Sequence, residues 1–391
     1  MAERSYFDWN ATAPLRPEAR DALAAALALT GNPSSVHAEG RAARQLVEHA
    51  REDVARLVGA RPADVIFTSS GTEANALALT PSIETAEEKK PRGKLLISAI
   101  EHPSVRTGGR FAREAIADIP VDADGRVDLA QLRVALSQTV RPLVSIMLAN
   151  NETGVIQPIA DVAAMVHAAG GLLHVDAVQA AGRLAIDIGA LGADLLTLSA
   201  HKIGGVKGVG ALIRAREDIH FPEPLIRGGG QERGLRAGTE NVAGIAAFGA
   251  AAKASLRARA DEAAHMLALR NALEAGIREV APQAVIFGAA AERLPNTTLF
   301  AVPGMKAETA IIAFDLEGIA VSSGAACSSG KVEPSHVLAA MGVSPPLTRG
   351  ALRVSLGFST VLREVERFQA AWRKLAGALC SGSGERSGIA A

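Results

Sequence analysis

The chain has 391 residues, with 41 Lys and Arg against 41 Asp and Glu, 48% hydrophobic residues and two cysteines, Cys327 and Cys380. That length suits two domains with ample core, and two cysteines build neither a disulfide framework nor a four-cysteine zinc site. The longest charge-free stretch, residues 22–38, is broken by Gly31-Asn32-Pro33-Ser34-Ser35, so no bilayer-crossing segment is predicted. Zero net charge without a basic block removes the footprint of a nucleic-acid binder. No leader is read after Met1, and the expectation is a soluble cytoplasmic protein acting on small molecules or proteins.

In chain order, short apolar runs at 65–68, 94–99, 144–148, 172–175 and 195–198 read as strands buried on both faces. A helical pattern over 161–169, stopped by Gly170-Gly171, makes one βαβ crossover. Residues 209–214 follow a glycine-rich turn closely enough to be an antiparallel hairpin partner. The predicted fold is α/β, a large domain with a mostly parallel mixed sheet flanked by helices. From residue 241 a long alanine-rich helix is followed by strands at 284–287, 297–301 and 351–356 separated by helices. These predict a smaller α+β domain. The expected division is 16–260 for the large domain, 1–15 with 261–380 for the small one, and a disordered tail over 381–391 rich in Ser and Gly.

Three features fall at strand ends. Ser70-Gly71-Thr72-Glu73 follows a strand and opens a helix, which places the Gly71 and Thr72 amides where a phosphate binds, although an ordinary capped helix start reads the same way. Asp176 ends the next-but-two strand, at the edge where open α/β sheets bind ligands, and could hold a proton on a heterocyclic nitrogen or simply cap a helix. Lys202 lies between an apolar strand and the run Gly204-Gly205-Val206-Lys207-Gly208-Val209-Gly210, an unusual place for a surface lysine and a plausible one for a lysine that condenses with a carbonyl. An aldehyde-linking lysine, a pyridinium-pairing acid and an anion site are the three parts a pyridoxal 5'-phosphate (PLP) site needs.

At this point the sequence resembles a family. Asp176-Ala177-Val178-Gln179, Ser199-Ala200-His201-Lys202, the run from Arg227-Gly228-Gly229-Gly230 to Gly238-Thr239, and Ser322-Ser323-Gly324-Ala325-Ala326-Cys327 look like cysteine desulfurases. These are NifS- and IscS-like enzymes of the class V aminotransferase branch of fold-type I PLP enzymes. Asn32 to His37, Glu101-His102 and Asn150-Asn151-Glu152-Thr153-Gly154 carry the likeness too, over about residues 6–367. The resemblance implies that Lys202 links the cofactor and later takes the substrate Cα proton. It implies that Asp176 pairs with the ring nitrogen, Gln179 with the ring hydroxyl, and that His102 stacks on the ring and shuttles protons. Gly71, Thr72, Ser199 and His201 would hold the phosphate, joined by Thr239 from the second subunit of a homodimer. Asn151 would touch cofactor and substrate, and Arg353 would grip the substrate carboxylate.

Cys327 sits among Ser322, Ser323, Gly324, Ser328, Ser329 and Gly330, a setting with no apolar core neighbours, so a mobile nucleophilic thiol is expected over a buried one. Cys380 has no motif around it and is taken as incidental. The implied activity is conversion of L-cysteine to L-alanine, with persulfide sulfur passed from Cys327 to an acceptor protein such as an iron–sulfur scaffold, or to thio-cofactor synthesis. The alternative is a selenocysteine lyase or another class V aminotransferase or lyase; a transaminase, however, has no use for Cys327. The C-terminus departs from the scaffold-docking tail of the housekeeping members. A P-loop reading of Gly324 to Lys331 fails, because five residues rather than four separate the glycines and Val332 replaces the magnesium-binding hydroxyl. No His-Glu-x-x-His supports a metal hydrolase, and no metal is expected.

Overall fold

The computed structural model describes residues 4–324 and 334–380. Both Cys327 and the tail over 381–391 lie outside the described residues. The chain enters through β1 (Ser5–Tyr6) and then builds the large sheet from β2 (Val65–Thr68), β3 (Leu95–Ser98), β4 (Ile116–Ile119), β5 (Leu143–Met147), β6 (Leu172–Asp176), β7 (Leu195–Ser199) and β8 (Gly210–Arg214). Their order across the sheet is β2-β8-β7-β6-β5-β3-β4. β3 to β7 pair in parallel, and β8 runs antiparallel between β2 and β7. The hairpin expected at 209–214 is therefore present, and the fold is the predicted mixed sheet flanked by helices.

Every strand of this sheet except β4 is buried along its whole length, as unbroken aliphatic runs require when helices cover both faces. One face packs Val144, Ile146, Leu173, Val175 and Leu196 against the helices Ala38–Leu57, Ile159–Ala168 and the first part of Val242–Val280. The other packs Ile66, Leu95, Ile97 and Leu212 against the helix Gly71–Ala78. β4 was not predicted: at the sheet edge, its Ala117 and Asp118 are exposed, which leaves too few apolar positions for a strand signal.

A second core lies C-terminal to the first. It is formed around an antiparallel sheet of β9 (Val285–Ile286), β10 (Thr297–Ala301), β12 (Ser322–Ser323) and β13 (Leu352–Ser355), in the order β12-β13-β10-β9. β11 (Ile319–Ala320) pairs instead with β1, which brings Phe7 into this core. The helices Ala307–Leu316 and Leu362–Cys380 supply Phe314, Phe368 and Trp372. The 39-residue helix Val242–Val280 joins the two cores: Ile245, Phe248 and Ala252 belong to the sheet core, and Leu269, Leu273 and Ile277 to the second. Residue 260 thus falls inside one uninterrupted helix. No helix among the described residues is long and apolar enough to cross a membrane.

Candidate active site

The site forms along one edge of the large sheet, where four of its strands end. β6 finishes in Asp176, β7 in Ser199, and β3 leads through Glu101 into His102, which caps the short helix Pro103–Arg106. β2 runs in the same sense as β7, so its end delivers the helix Gly71–Ala78 to the same edge. Asp8, Asn10, Asn151 and Arg353 join them in lining a cavity of about 530 Å³. Gly71, Thr72, His102, Asn151, Asp176, Gln179, Ser199, His201, Lys202 and Arg353 all line it.

The helix start is built for an anion. Ser70 caps it, accepting from the Glu73 amide at 3.1 Å, while the amides of Gly71 and Thr72 belong to the first turn, where no intrahelical partner exists. A Cβ on Gly71 would lie 3.2 Å from Val178 Cγ2 and 3.3 Å from Ser199 Cβ, and one on Gly210 would lie 2.7 Å from the Gly71 nitrogen. Glycine at 210 lets the two backbones approach, and glycine at 71 leaves the Gly71 and Thr72 amides uncrowded, which fits an anion bound at this helix start. His201 stands beside it with Nδ1 3.1 Å from Thr12 Oγ1. Burial and the nearby Lys202 and Lys207 ammonium groups push its pKa down to about 4.

Asp176 is buried, and both its oxygens are occupied: Val178 N donates to Oδ1 at 3.0 Å and Asn75 Nδ2 to Oδ2 at 2.9 Å. Lys202 follows β7 in the 3-10 turn Ala200–Lys202. Its Nζ donates to the carbonyls of Asn10 at 2.5 Å and Ala11 at 2.8 Å. Burial, then the charges of Arg353 and Arg183, lower its pKa to about 7 against the opposing pull of Asp8 and Asp176. A neutral amine, the form that adds to a carbonyl, is therefore accessible near neutral pH. Gln179 donates to the Asn10 carbonyl at 2.9 Å and accepts from Arg183 at 2.9 Å. Arg353, on β13, is 4% exposed; it donates to Asp8 Oδ1 at 2.8 Å and to the Asn151 carbonyl at 3.0 Å.

Thr239 is exposed and does not line this cavity. It ends a loop fixed from below, where Glu232 and Arg233 take left-handed backbone angles (φ 45° and 58°). The buried Glu232 carboxylate accepts from Arg51 at 2.7 and 2.8 Å and from the Phe67 amide at 2.9 Å. Cys380 packs at the margin of the second core, where burial raises its pKa. The sequence reading missed Asp8, Asn10, Asn75 and Ser104. A usable signal was present at Asn75, a polar residue in the otherwise apolar part of a helix beginning at Gly71, one turn from its start.

Residues 5–368 match the aminotransferase class-V family model. The chain belongs to the class-V aminotransferase family. Within it, the chain is 44% identical to a cysteine desulfurase of Cereibacter sphaeroides over 93% of its own length and 94% of that protein's. It is 40% identical to the cysteine desulfurase IscS of Dictyoglomus turgidum, covering 93% and 92% of the two chains. The solved structure of a NifS-like protein from Rickettsia africae superposes with a TM-score of 0.87 at 36% identity, covering 96% of this chain and all of that one. The mixed sheet with its C-terminal α+β portion is the fold shared with this NifS-like relative.

Proposed function

We propose that this class-V enzyme is a cysteine desulfurase that uses PLP, converts L-cysteine to L-alanine and carries the released sulfur on Cys327. The observation that supports this best is the half-buried Lys202, with its pKa lowered to about 7, sharing one cavity with Asp176, the glycine-opened helix start and Arg353. Gly71 and Thr72, with Ser199 and His201, would hold the phosphate, and Thr239 of a second subunit would complete it in a homodimer. Asp176 would face the ring nitrogen and Gln179 the ring hydroxyl. When bound, PLP supplies an electron sink for the pair left on the substrate Cα.

The chain's own residues do the rest. Arg353 exchanges its Asp8 contact for the substrate carboxylate, with a fork suited to two oxygens. Lys202, neutral near pH 7, takes the Cα proton. The Cys327 thiolate attacks the substrate sulfur: the new S–S bond forms as the substrate C–S bond breaks, and the bonding pair stays with the carbon skeleton, which takes up one proton at Cβ and regains at Cα the proton that Lys202 removed, giving alanine. The persulfide then passes to an acceptor protein for iron–sulfur cluster or thio-cofactor synthesis. We infer that the two cores act as a large and a small domain, the small one contributing Arg353 and the Cys327 segment. The test is Cys327→Ser, assayed with L-cysteine. The yellow cofactor colour is expected to persist while alanine formation is lost, and the wild-type peptide containing Cys327 is expected to gain one sulfur by mass. Normal turnover in the variant would remove Cys327 from the mechanism.

A further inference from the structure

One chain of side chains in the cavity is not used by the chemistry above. Asn75 is 1% exposed, and its amide Nδ2 donates 2.9 Å to Asp176 Oδ2 and 2.9 Å to Ser104 Oγ, which commits both of its protons. Ser104 Oγ lies 2.7 Å from His102 Nδ1, and the Ser104 backbone N–H donates to the same nitrogen at 3.1 Å. A backbone N–H cannot accept, so Nδ1 is the acceptor and carries no proton. The Ser104 hydroxyl accepts from Asn75 and has its own proton left for Nδ1. A neutral imidazole then keeps its single proton on Nε2.

We propose that Asn75 and Ser104 are positioning residues that hold His102 neutral with its proton on Nε2, tied through three hydrogen bonds to Asp176. His102 therefore meets the cavity's occupant as a hydrogen-bond donor, and Lys202 is left as the base. Adding a proton at Nδ1 would set N–H against the Ser104 backbone N–H and force the Ser104 hydroxyl to turn its own proton away from the ring. The charged surroundings agree: burial lowers the His102 pKa, Asp176 opposes this and Lys202 reinforces it. The other titratable groups nearby are Glu101, Arg106 and His336, whose Nε2 donates to the Glu101 carbonyl at 3.0 Å.

The inference rests on the proposed function only for what occupies the cavity; the tautomer belongs to the protein's own residues. The test is nitrogen NMR of the PLP-loaded enzyme labelled with 15N-histidine, with His102 assigned by its loss in His102→Gln. Wild type is expected to show a protonated Nε2, a bare Nδ1 and no charging from about pH 6 to 9. Ser104→Ala, which keeps the backbone donor, should raise the population protonated at Nδ1 about fivefold, the worth of one hydrogen bond, and Ser104→Thr should restore it. Asn75→Ala should shift the ring in the same direction. A protonated Nδ1 in wild type, or an unchanged ring in Ser104→Ala, overturns the proposal. If Asn75→Ala does not fold, the wild-type spectrum and the Ser104 pair decide. The expected tautomer in an enzyme that forms no alanine from cysteine would sink the desulfurase reading and leave this one standing.

Discussion

In the sheet core the packed side chains are mostly Val, Leu, Ile and Ala, and the polar residues gather where the strands end. In the C-terminal core five aromatics carry the packing instead: Phe7, Phe300, Phe314, Phe368 and Trp372. Phe314 stacks on Phe368 with ring centroids 4.9 Å apart and planes 5° apart, and Trp372 meets Phe300 edge-on at 5.7 Å. The two cores thus hold the cavity differently. The first fixes Asp176 and Ser199 through hydrogen-bonded backbone at strand ends, so their positions are set by the sheet itself, and it holds His102 at the start of the helix that follows β3. The second delivers Arg353 from one short strand whose placement depends on ring packing. Damage to the first should abolish chemistry, and damage to the second should loosen the grip on the substrate carboxylate.

The sharpest break is Lys202→Ala. Turnover should fall by about 10²- to 10⁴-fold, the range for removing a positioned acid–base group, with thermal unfolding of the rest of the chain little changed. Retained alanine formation would place the reactive amine elsewhere. In the second core, Trp372→Ala should cost about 3–5 kcal/mol in urea unfolding, because a fully buried ring leaves a cavity its neighbours cannot fill. Its activity should fail through a raised KM for cysteine more than through kcat; a selective loss of kcat would show that the two cores do not divide the labour this way.

A pH profile separates the cores further. Glu101 is fully buried beside His102, accepting from Ser98 Oγ at 2.5 Å and the Met147 amide at 2.8 Å, and burial raises its pKa to about 8 from 4.5. The fold therefore favours the protonated form. This contribution is complete below pH 4.5, where both states hold the proton, and is lost progressively as pH rises towards 8, because the unfolded chain releases it first. The slope for one proton is at most about 1.4 kcal/mol per pH unit. Glu101→Gln keeps the acceptor and cannot ionise, so stability measured by urea midpoints should lose that slope between pH 5 and 8. An unchanged slope would mean that Glu101 ionises freely in the fold. Arg353→Lys keeps the charge but not the fork, and a rise in KM of about tenfold with kcat nearly intact is expected.

The strands of the large sheet were legible because burial on both faces writes itself as short aliphatic runs, and Asp176 and Lys202 stood out as charges where such runs end. β1, β11 and β12, at two residues each, carry no period; they exist through partners elsewhere, as when Ser5 pairs with Ile319. The second tier of the site was illegible for the same reason. Asn75 matters through Asp176, Asp8 through Arg353 and Asn10 through Lys202, contacts separated by 101, 345 and 192 positions. Local pattern reports which face is buried, and says nothing about which distant segment supplies a hydrogen-bond partner.

Asp8→Asn carries the smallest expected effect and is the finest probe of the comparison, since Asp8 comes from the N-terminal segment and Arg353 from the second core. In the structure Asp8 Oδ1 takes one arm of the guanidinium, so a substrate carboxylate must compete with a charged internal partner. Hydrogen bonds to charged groups are worth about 1.5–3 kcal/mol and neutral ones about 0.5–1.5. Replacing the carboxylate by an amide keeps the acceptor and weakens the competitor, which should lower the KM for cysteine by about three- to tenfold. The Asp8 charge also raises the Lys202 pKa against burial. Its loss should extend the acid limb of kcat to lower pH, since Lys202 then stays neutral further down. A raised KM in Asp8→Asn would reverse the assignment: Asp8 would be aiming Arg353 at the carboxylate instead of competing for it.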